Sequence, residues 1–356
     1  MRPLYGPVPV TVLTGFLGSG KTTLLNGILA DPRMAGTAVV INEFGAVSID
    51  HDLVRKGSET VSRTTTGCIC CTASSDIRTS LHELHVARLH QEIPAISRVV
   101  IETTGLADPA PIINSLIAGG APAMGLRDHA VARHFYLAGV ITAFDAINGR
   151  VALDGFLEGW KQIAFADHVI LTKTDLVHGW NGWADELRDL NPAARFHDRH
   201  DRAFDLPALF GNSSYSMSGR AEDVVGWLAM ETLASHPEHA HDVNRHGDGV
   251  EAFSLVHEQP LDPRAVEFFL QVITSNAESG LLRLKGLFAL DDDPDRPLVA
   301  HAVQHQLYPS WRLPAWPNQD RRTRAVLIGR DMPAKQIRDL FAALAPRPAG
   351  KRRRRA

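Results

Sequence analysis

Residues Gly15 to Thr22 read G-F-L-G-S-G-K-T, and less than fifty residues later Gly67 to Cys71 read G-C-I-C-C. The first run has the makings of a phosphate cradle. Gly15, Gly18 and Gly20 let backbone N–H groups around Ser19 turn toward phosphate oxygens. Lys21 would set an ammonium against the β- and γ-phosphates, and the Thr22 hydroxyl suits Mg²⁺, with Thr23 continuing into a helix. The second run holds all three cysteines of the chain, Cys68, Cys70 and Cys71. Three thiolates in four residues supply most of a tetrahedral Zn²⁺ site, a fourth ligand coming from elsewhere. Thiolates also take Co²⁺ or Cu(I), so residue type does not choose the metal. Buried structural cysteines and an oxidisable redox sensor are the other readings of the cluster. Its Thr- and Gly-rich surroundings place it in a turn and not on an apolar strand.

Two further segments complete a nucleotide site. The run Arg98–Ile101 delivers Glu102-Thr103-Thr104-Gly105 to the edge of a sheet where ligands bind in α/β folds. Glu102 can hold Mg²⁺ through water, and the Gly105 N–H can meet a γ-phosphate because no side chain blocks the approach. Thr172-Lys173-Thr174-Asp175 follows another apolar run. The Asp175 carboxylate can accept from N1–H and the 2-amino group of guanine, which adenine cannot match, so GTP and GDP are the expected nucleotides.

Seventeen histidines are present, most of them scattered. His82 and His85 share a face of the helix after the cysteines and read mainly as ordinary, partly exposed histidines, with metal ligation as the other reading. His236, His239, His241 and His246 crowd a polar stretch where they could collect Zn²⁺, Co²⁺ or Ni²⁺ loosely, or merely solvate a linker.

The elements that must position these residues follow from short apolar runs alternating with helical segments, the pattern of a parallel α/β sheet with helices on both faces. Expected strands are Val8–Leu13, Ala38–Ile41, Arg98–Ile101, Gly139–Phe144 and His168–Leu171, with a helix over Thr22–Leu29. The predicted domains are a P-loop unit over 1–234, a His-rich linker over 235–249, a small α+β unit over 250–345 and a basic, solvated tail over 346–356. In the second unit, strands are expected at Ala252–Val256, Leu281–Leu290, Leu298–Gln304 and Arg324–Ile328. Asp262-Pro263 caps a helix whose Val266, Phe269, Leu270 and Ile273 form one stripe, and Ile337, Leu340, Phe341 and Leu344 repeat that spacing.

Composition narrows the classes. With 356 residues, 44% hydrophobic and a formal charge of −3, the chain is a globular protein of about two domains. No overall positive field favours nucleic acid, the longest apolar run is too short for a membrane span, and unpaired cysteine usage points to the cytoplasm.

The motifs together resemble the CobW-like metallochaperone GTPases, relatives of UreG and HypB, and among them the YjiA-type members. The resemblance rests on TGFLGSGKTTLL from Thr14, INEFG from Ile41, GCICC from Gly67, IETTGLADP from Ile101, LTKTD from Leu171, LLRLKG from Leu281 and VQHQLY from Val303. It implies a P-loop NTPase domain with a CobW C-terminal domain, slow Mg²⁺-dependent GTP hydrolysis, Zn²⁺ or Co²⁺ at C-x-C-C, and delivery to a client metalloprotein or a corrinoid pathway. It leaves open a nucleotide- or metal-dependent homodimer. Lys21 and Thr22 take the phosphate and Mg²⁺ roles, Glu43 lies in the first switch, Glu102 is the acidic residue of the second, and Asp175 reads the base. Asp50, also in the first switch, is the candidate for orienting the attacking water. Two departures stand out: Ile41 and Ala46 occupy positions where relatives carry glutamate, and Thr172 stands where asparagine is commoner.

Overall fold

Strands rich in Val and Ile, apolar on both faces, must be covered on both faces, and this chain supplies the covers. The computed structural model describes residues 6–42, 61–63, 69–72, 77–116, 125–177, 181–210, 249–275 and 280–344. Strands β1 (Val8–Gly15), β2 (Thr37–Asn42), β3 (Val61–Arg63), β4 (Ile69–Thr72), β5 (Arg98–Thr103), β6 (Phe135–Asp145), β7 (His168–Thr172) and β8 (Arg195–Asp198) form one sheet. Its order is β3-β4-β2-β5-β1-β6-β7-β8, and every neighbouring pair is parallel except β3 with β4. The chain runs outward from β1 in both directions, which opens a crevice at the C-terminal end of that central strand. All five expected strands are present, each longer than expected at one or both ends. One expectation fails: Cys70 and Cys71 lie within β4 and not in a turn.

Alternate residues of each strand feed two cores. Val39, Val100, Ile141 and Ile170 pack with Leu24, Leu25 and Ile28 of α1 (Lys21–Ala30). Val40, Val99, Ile101, Val140 and Val169 face the other way, toward α2 (Ile77–Leu89) and the helices that follow. Those are α3 (Ala110–Ser115), α4 (Leu126–His134), α5 (Gly149–Gly155), α6 (Leu157–Ala164) and α7 (Asn181–Leu190). Among the described residues, no helix is long and apolar enough to cross a membrane.

The second unit contains β9 (Val250–His257), α8 (Pro263–Ser275), β10 (Leu281–Phe288), β11 (Leu298–Val303), β12 (Gln306–Leu307), β13 (Trp311–Arg312), β14 (Thr323–Arg330) and α9 (Ala334–Ala342). Its antiparallel sheet runs β12-β11-β10-β14-β9, with β13 against β11. The Val266, Phe269, Leu270, Ile273 stripe of α8 is buried as its spacing requires, against Phe253, Leu284 and Phe288. Asp262 Oδ1 accepts from the N–H of Arg264 at 2.7 Å, the expected cap. The other face of this sheet, with Leu282, Leu287, Val326 and Ile328, shares a continuous core with Trp160 and Ile163 of α6.

Charge crosses the same junction. Asp167, directly before β7, accepts from Arg283 Nη2 (2.5 Å) and Lys285 Nζ (2.7 Å) of β10, and from the backbone N–H of Val140 (2.8 Å). All three charged side chains are at most 3% exposed. Burial by itself would raise the Asp167 carboxyl, but the two cations and the Val140 N–H hold it far below the usual carboxylate range. Burial, then the neighbouring Arg283, push the Lys285 ammonium down to about 8 against the pull of Asp167.

Candidate functional site

The loop from Gly15 to Gly20 joins the end of β1 to the start of α1. Gly20 sits at φ 90° as the residue preceding the helix, a left-handed conformation that favours glycine. No side chain caps the helix and no acidic residue lies in its first turn, so its first N–H groups and its positive dipole end are offered to an anion. Lys21 lies in the cradle, its Nζ donating to the carbonyls of Gly15 (2.8 Å) and Phe16 (3.0 Å). Ser19 is 1% exposed, and its Oγ has no hydrogen-bond partner among the described residues. A buried hydroxyl of that kind fits a phosphate oxygen.

Thr22 Oγ1 lies 3.3 Å from Glu102 Oε1, bringing a hydroxyl and a carboxylate together beside the cradle. Two hard oxygen donors next to a phosphate site suit Mg²⁺. Thr103 of β5 bonds Thr14 of β1 through their hydroxyls (2.8 Å), fixing the Glu102 strand end against the P-loop strand. A Cβ added to Gly105 would fall 2.5 Å from Leu17 N, so the segment after Glu102 lies against the P-loop backbone and only glycine fits.

The Thr172–Asp175 segment is tied to the same loop. The Thr172 hydroxyl lies 2.9 Å from Ser19 O and 3.2 Å from Phe144 O, so the residue at the asparagine position still contacts the P-loop. Lys173 adopts φ 59° and pairs with Asp145 Oδ2 at 2.5 Å. Burial would raise the Asp145 carboxyl, but Lys173, Asn148 and the Ile147 N–H together hold it below its ordinary value. Thr174 Oγ1 donates to Asp198 Oδ1 (2.5 Å), and Asp175 Oδ1 lies 2.9 Å from His200 Nε2. Asp145, Asp198 and His200 are not among the residues the motifs single out. A carboxylate closing the apolar run Gly139–Phe144 is the signal that points to Asp145.

Thus Lys21, Thr22, Glu102, Gly105 and Thr172 gather around the P-loop, Lys173 and Asp175 follow Thr172 at the end of β7, and exposed Thr23 is the third residue of α1. Glu43, Asp50, Cys68, His236, His239, His241 and His246 lie outside the described residues. Cys70 and Cys71 are placed by backbone alone. Among the described residues, no group of three or more His, Cys, Asp or Glu is arranged to hold a metal ion.

His82 is partly exposed as expected, but His85 is not. His85 is 8% exposed and stacks on His134 of α4, with ring centroids 4.0 Å apart. Burial, then the nearby His134 and Arg88, push its imidazole down to about 4. A histidine whose folded value lies below its unfolded value near 6.5 costs stability as pH falls, because only the unfolded chain takes up the proton. From pH 7 to pH 4.5 this group removes about 2 kcal/mol. His85→Phe, measured by urea denaturation, should make stability less dependent on pH by that amount.

The P-loop at the end of a central parallel strand, the paired Thr22 and Glu102, and the appended antiparallel sheet define a two-domain nucleotide-binding protein of the P-loop class. Residues 9–198 match the CobW/HypB/UreG nucleotide-binding domain, and residues 250–345 match the cobalamin synthesis protein cobW C-terminal domain. The chain belongs to this family. It is 30% identical over 338 residues to the zinc chaperone YjiA of Escherichia coli, covering 95% of this chain and 99% of the relative. It is 27% identical to the zinc chaperone CobW of a Sinorhizobium species, covering 96% and 99%. The zinc-regulated GTPase metalloprotein activator 1 of Schizosaccharomyces pombe is 34% identical over 185 residues, 48% of this chain and 40% of that one. The Zn(II)-bound crystal structure of the Escherichia coli YjiA GTPase superposes with a TM-score of 0.72 at 27% identity, covering 96% of this chain and all of that one.

Proposed function

We propose that this chain is a GTP-hydrolysing metallochaperone that holds Zn²⁺, or alternatively Co²⁺, at Cys68, Cys70 and Cys71, and whose nucleotide state governs handover to a client metalloprotein. The observation that carries the reading is strand register. Cys71 pairs with Val40 of β2, and Val40 pairs with Ile101 of β5. Thr72, Ile41 and Glu102 form the next rung. The thiol-bearing strand is therefore two strand spacings, about 10 Å, from the strand ending at Glu102. The strand between them leads into the segment carrying Glu43 and Asp50.

In this reading Lys21 and the P-loop N–H groups orient the phosphates, Thr22 and Glu102 would hold Mg²⁺, Asp175 fixes the guanine, and Asp50 orients the attacking water. Mg²⁺ supplies charge neutralisation at the β- and γ-phosphates. No arginine is assigned to the developing charge, which suits slow turnover. A nucleotide that orders the ends of β2 and β5 moves the strand beside the thiols, and the coupling is reciprocal. The names of the zinc chaperones and the zinc-regulated activator among its relatives support zinc as the cargo.

Titration with Zn²⁺ and Co²⁺ of protein loaded with GDP or a non-hydrolysable GTP analogue tests this. Metal affinities should differ by about tenfold between the two states. Equal affinities would remove the chaperone reading. Simultaneous Cys→Ser change at 68, 70 and 71 should abolish stoichiometric binding; if binding persists, the linker histidines hold the metal instead.

A further inference from the structure

Helix α6 carries none of the motif residues, yet it grips the segment that follows Glu102 at three points. Gln162 Nε2 donates to the carbonyls of Gly105 and Ala107, both at 3.1 Å. The adjacent Lys161 Nζ lies 2.7 Å from Asp108 Oδ2. Gln162 is 1% exposed, so no bulk water can replace its amide hydrogens at those two carbonyls. The same residue's backbone carbonyl accepts from Thr142 Oγ1 of β6 at 2.7 Å, which fixes the helix to the central sheet.

The last turn of α6 and the residues just after it are held as firmly. Asn191 Nδ2 donates to the carbonyls of Ile163 (2.7 Å) and Ala166 (3.0 Å), and Arg283 Nη1 of the second domain donates to Ala166 O at 2.9 Å. The helix is thus an anchored arm whose two side chains clip residues 105–108 onto the P-loop, where Gly105 already lies too close to Leu17 for any Cβ. We infer that Gln162 is a positioning residue for GTP hydrolysis: its carboxamide holds the Gly105–Ala107 backbone in the arrangement that meets the γ-phosphate. GDP has no γ-phosphate, so it should be indifferent to this clip. The inference rests on the GTPase reading above and is independent of the metal.

The test uses full-length protein with Gln162→Met, which keeps chain length and removes both donors. The readouts are steady-state GTP turnover and the ratio of affinities for a non-hydrolysable GTP analogue and GDP. The expected result is a kcat about tenfold lower and an analogue-to-GDP affinity ratio reduced about fivefold, with GDP affinity within twofold of wild type. Wild-type kcat and ratio in a variant that binds GDP normally would overturn the inference. Equal weakening of both nucleotides would also overturn it, because that marks a merely structural role. Lys161→Met, at a partly exposed position, loosens the same segment and is read by the same two measurements should Gln162→Met not fold. The affinity ratio reads the clip without turnover, so a wild type that fails to hydrolyse GTP counts against the GTPase reading and leaves this inference to be judged by the ratio.

Discussion

Replacing Asp167 by alanine is expected to destabilise the protein by about 3–5 kcal/mol, because it removes the carboxylate between two buried cations. Arg283 keeps the carbonyls of Ala164 and Ala166 as acceptors, at 3.3 and 2.9 Å, but neither carries a full charge. The Val140 N–H would lose its 2.8 Å acceptor as well. Asp167→Asn separates charge from shape: it preserves volume and one acceptor, yet should lose most of the same stability. Replacing the trio together, with Leu at 167 and Met at 283 and 285, should cost less than Asp167→Ala alone, since desolvated charge and compensation disappear together. Urea midpoints with unchanged m-values would measure all three. A loss below about 1 kcal/mol for Asp167→Ala would mean that water or another anion reaches the cations.

This junction cannot be read from the chain. Asp167 and Arg283 are 116 positions apart, and L-R-L-K-G within an apolar strand gives no hint that its charges point at a carboxylate in another domain. What is legible is local. The cradle is eight contiguous residues, and Asp175 follows a strand buried on both faces, so pattern and chemistry coincide. The first C-terminal helix is marked by the 3.6-residue stripe of Val266, Phe269, Leu270 and Ile273, all of them buried. The cysteine strand escapes sequence reasoning for a physical reason: β4 has only four residues, Ile69–Thr72, and follows Thr64-Thr65-Thr66-Gly67, where local preference favours a turn. Pairing to β2 on one side and β3 on the other outweighs that preference. Strand β6 begins at Phe135, four residues before the expected start at Gly139, because its first residues pair with β1 on the other side of a register shift at Val10/Thr11, which a period-based reading of the apolar run does not show. Gln162 is silent in the sequence because a glutamine within an amphipathic helix looks like surface, and its burial depends on a loop more than fifty positions earlier.

Asp175→Asn should lower GTP affinity by roughly a thousandfold and raise affinity for xanthosine triphosphate, inverting the preference. The argument is an inventory of donors and acceptors. Guanine presents N1–H and a 2-amino group, both donors, and a carboxylate accepts from both with the strength of a charged acceptor. An asparagine accepts at one atom and donates at the other, so its amide hydrogens would face the 2-amino hydrogens. Xanthine carries an oxygen at that position and meets the asparagine as a matched pair. In this structure Asp175 Oδ1 lies 2.9 Å from His200 Nε2, with both side chains nearly half exposed. Exposed pairs contribute about 0–1 kcal/mol, so the base can displace or share that contact at little cost. His200→Ala should therefore change GTP affinity by no more than about fivefold. Competition binding with GTP, ATP and xanthosine triphosphate separates the two residues. If Asp175→Asn binds GTP as wild type does, the carboxylate does not read the base, and the tie between Thr172 and the P-loop serves some other ligand.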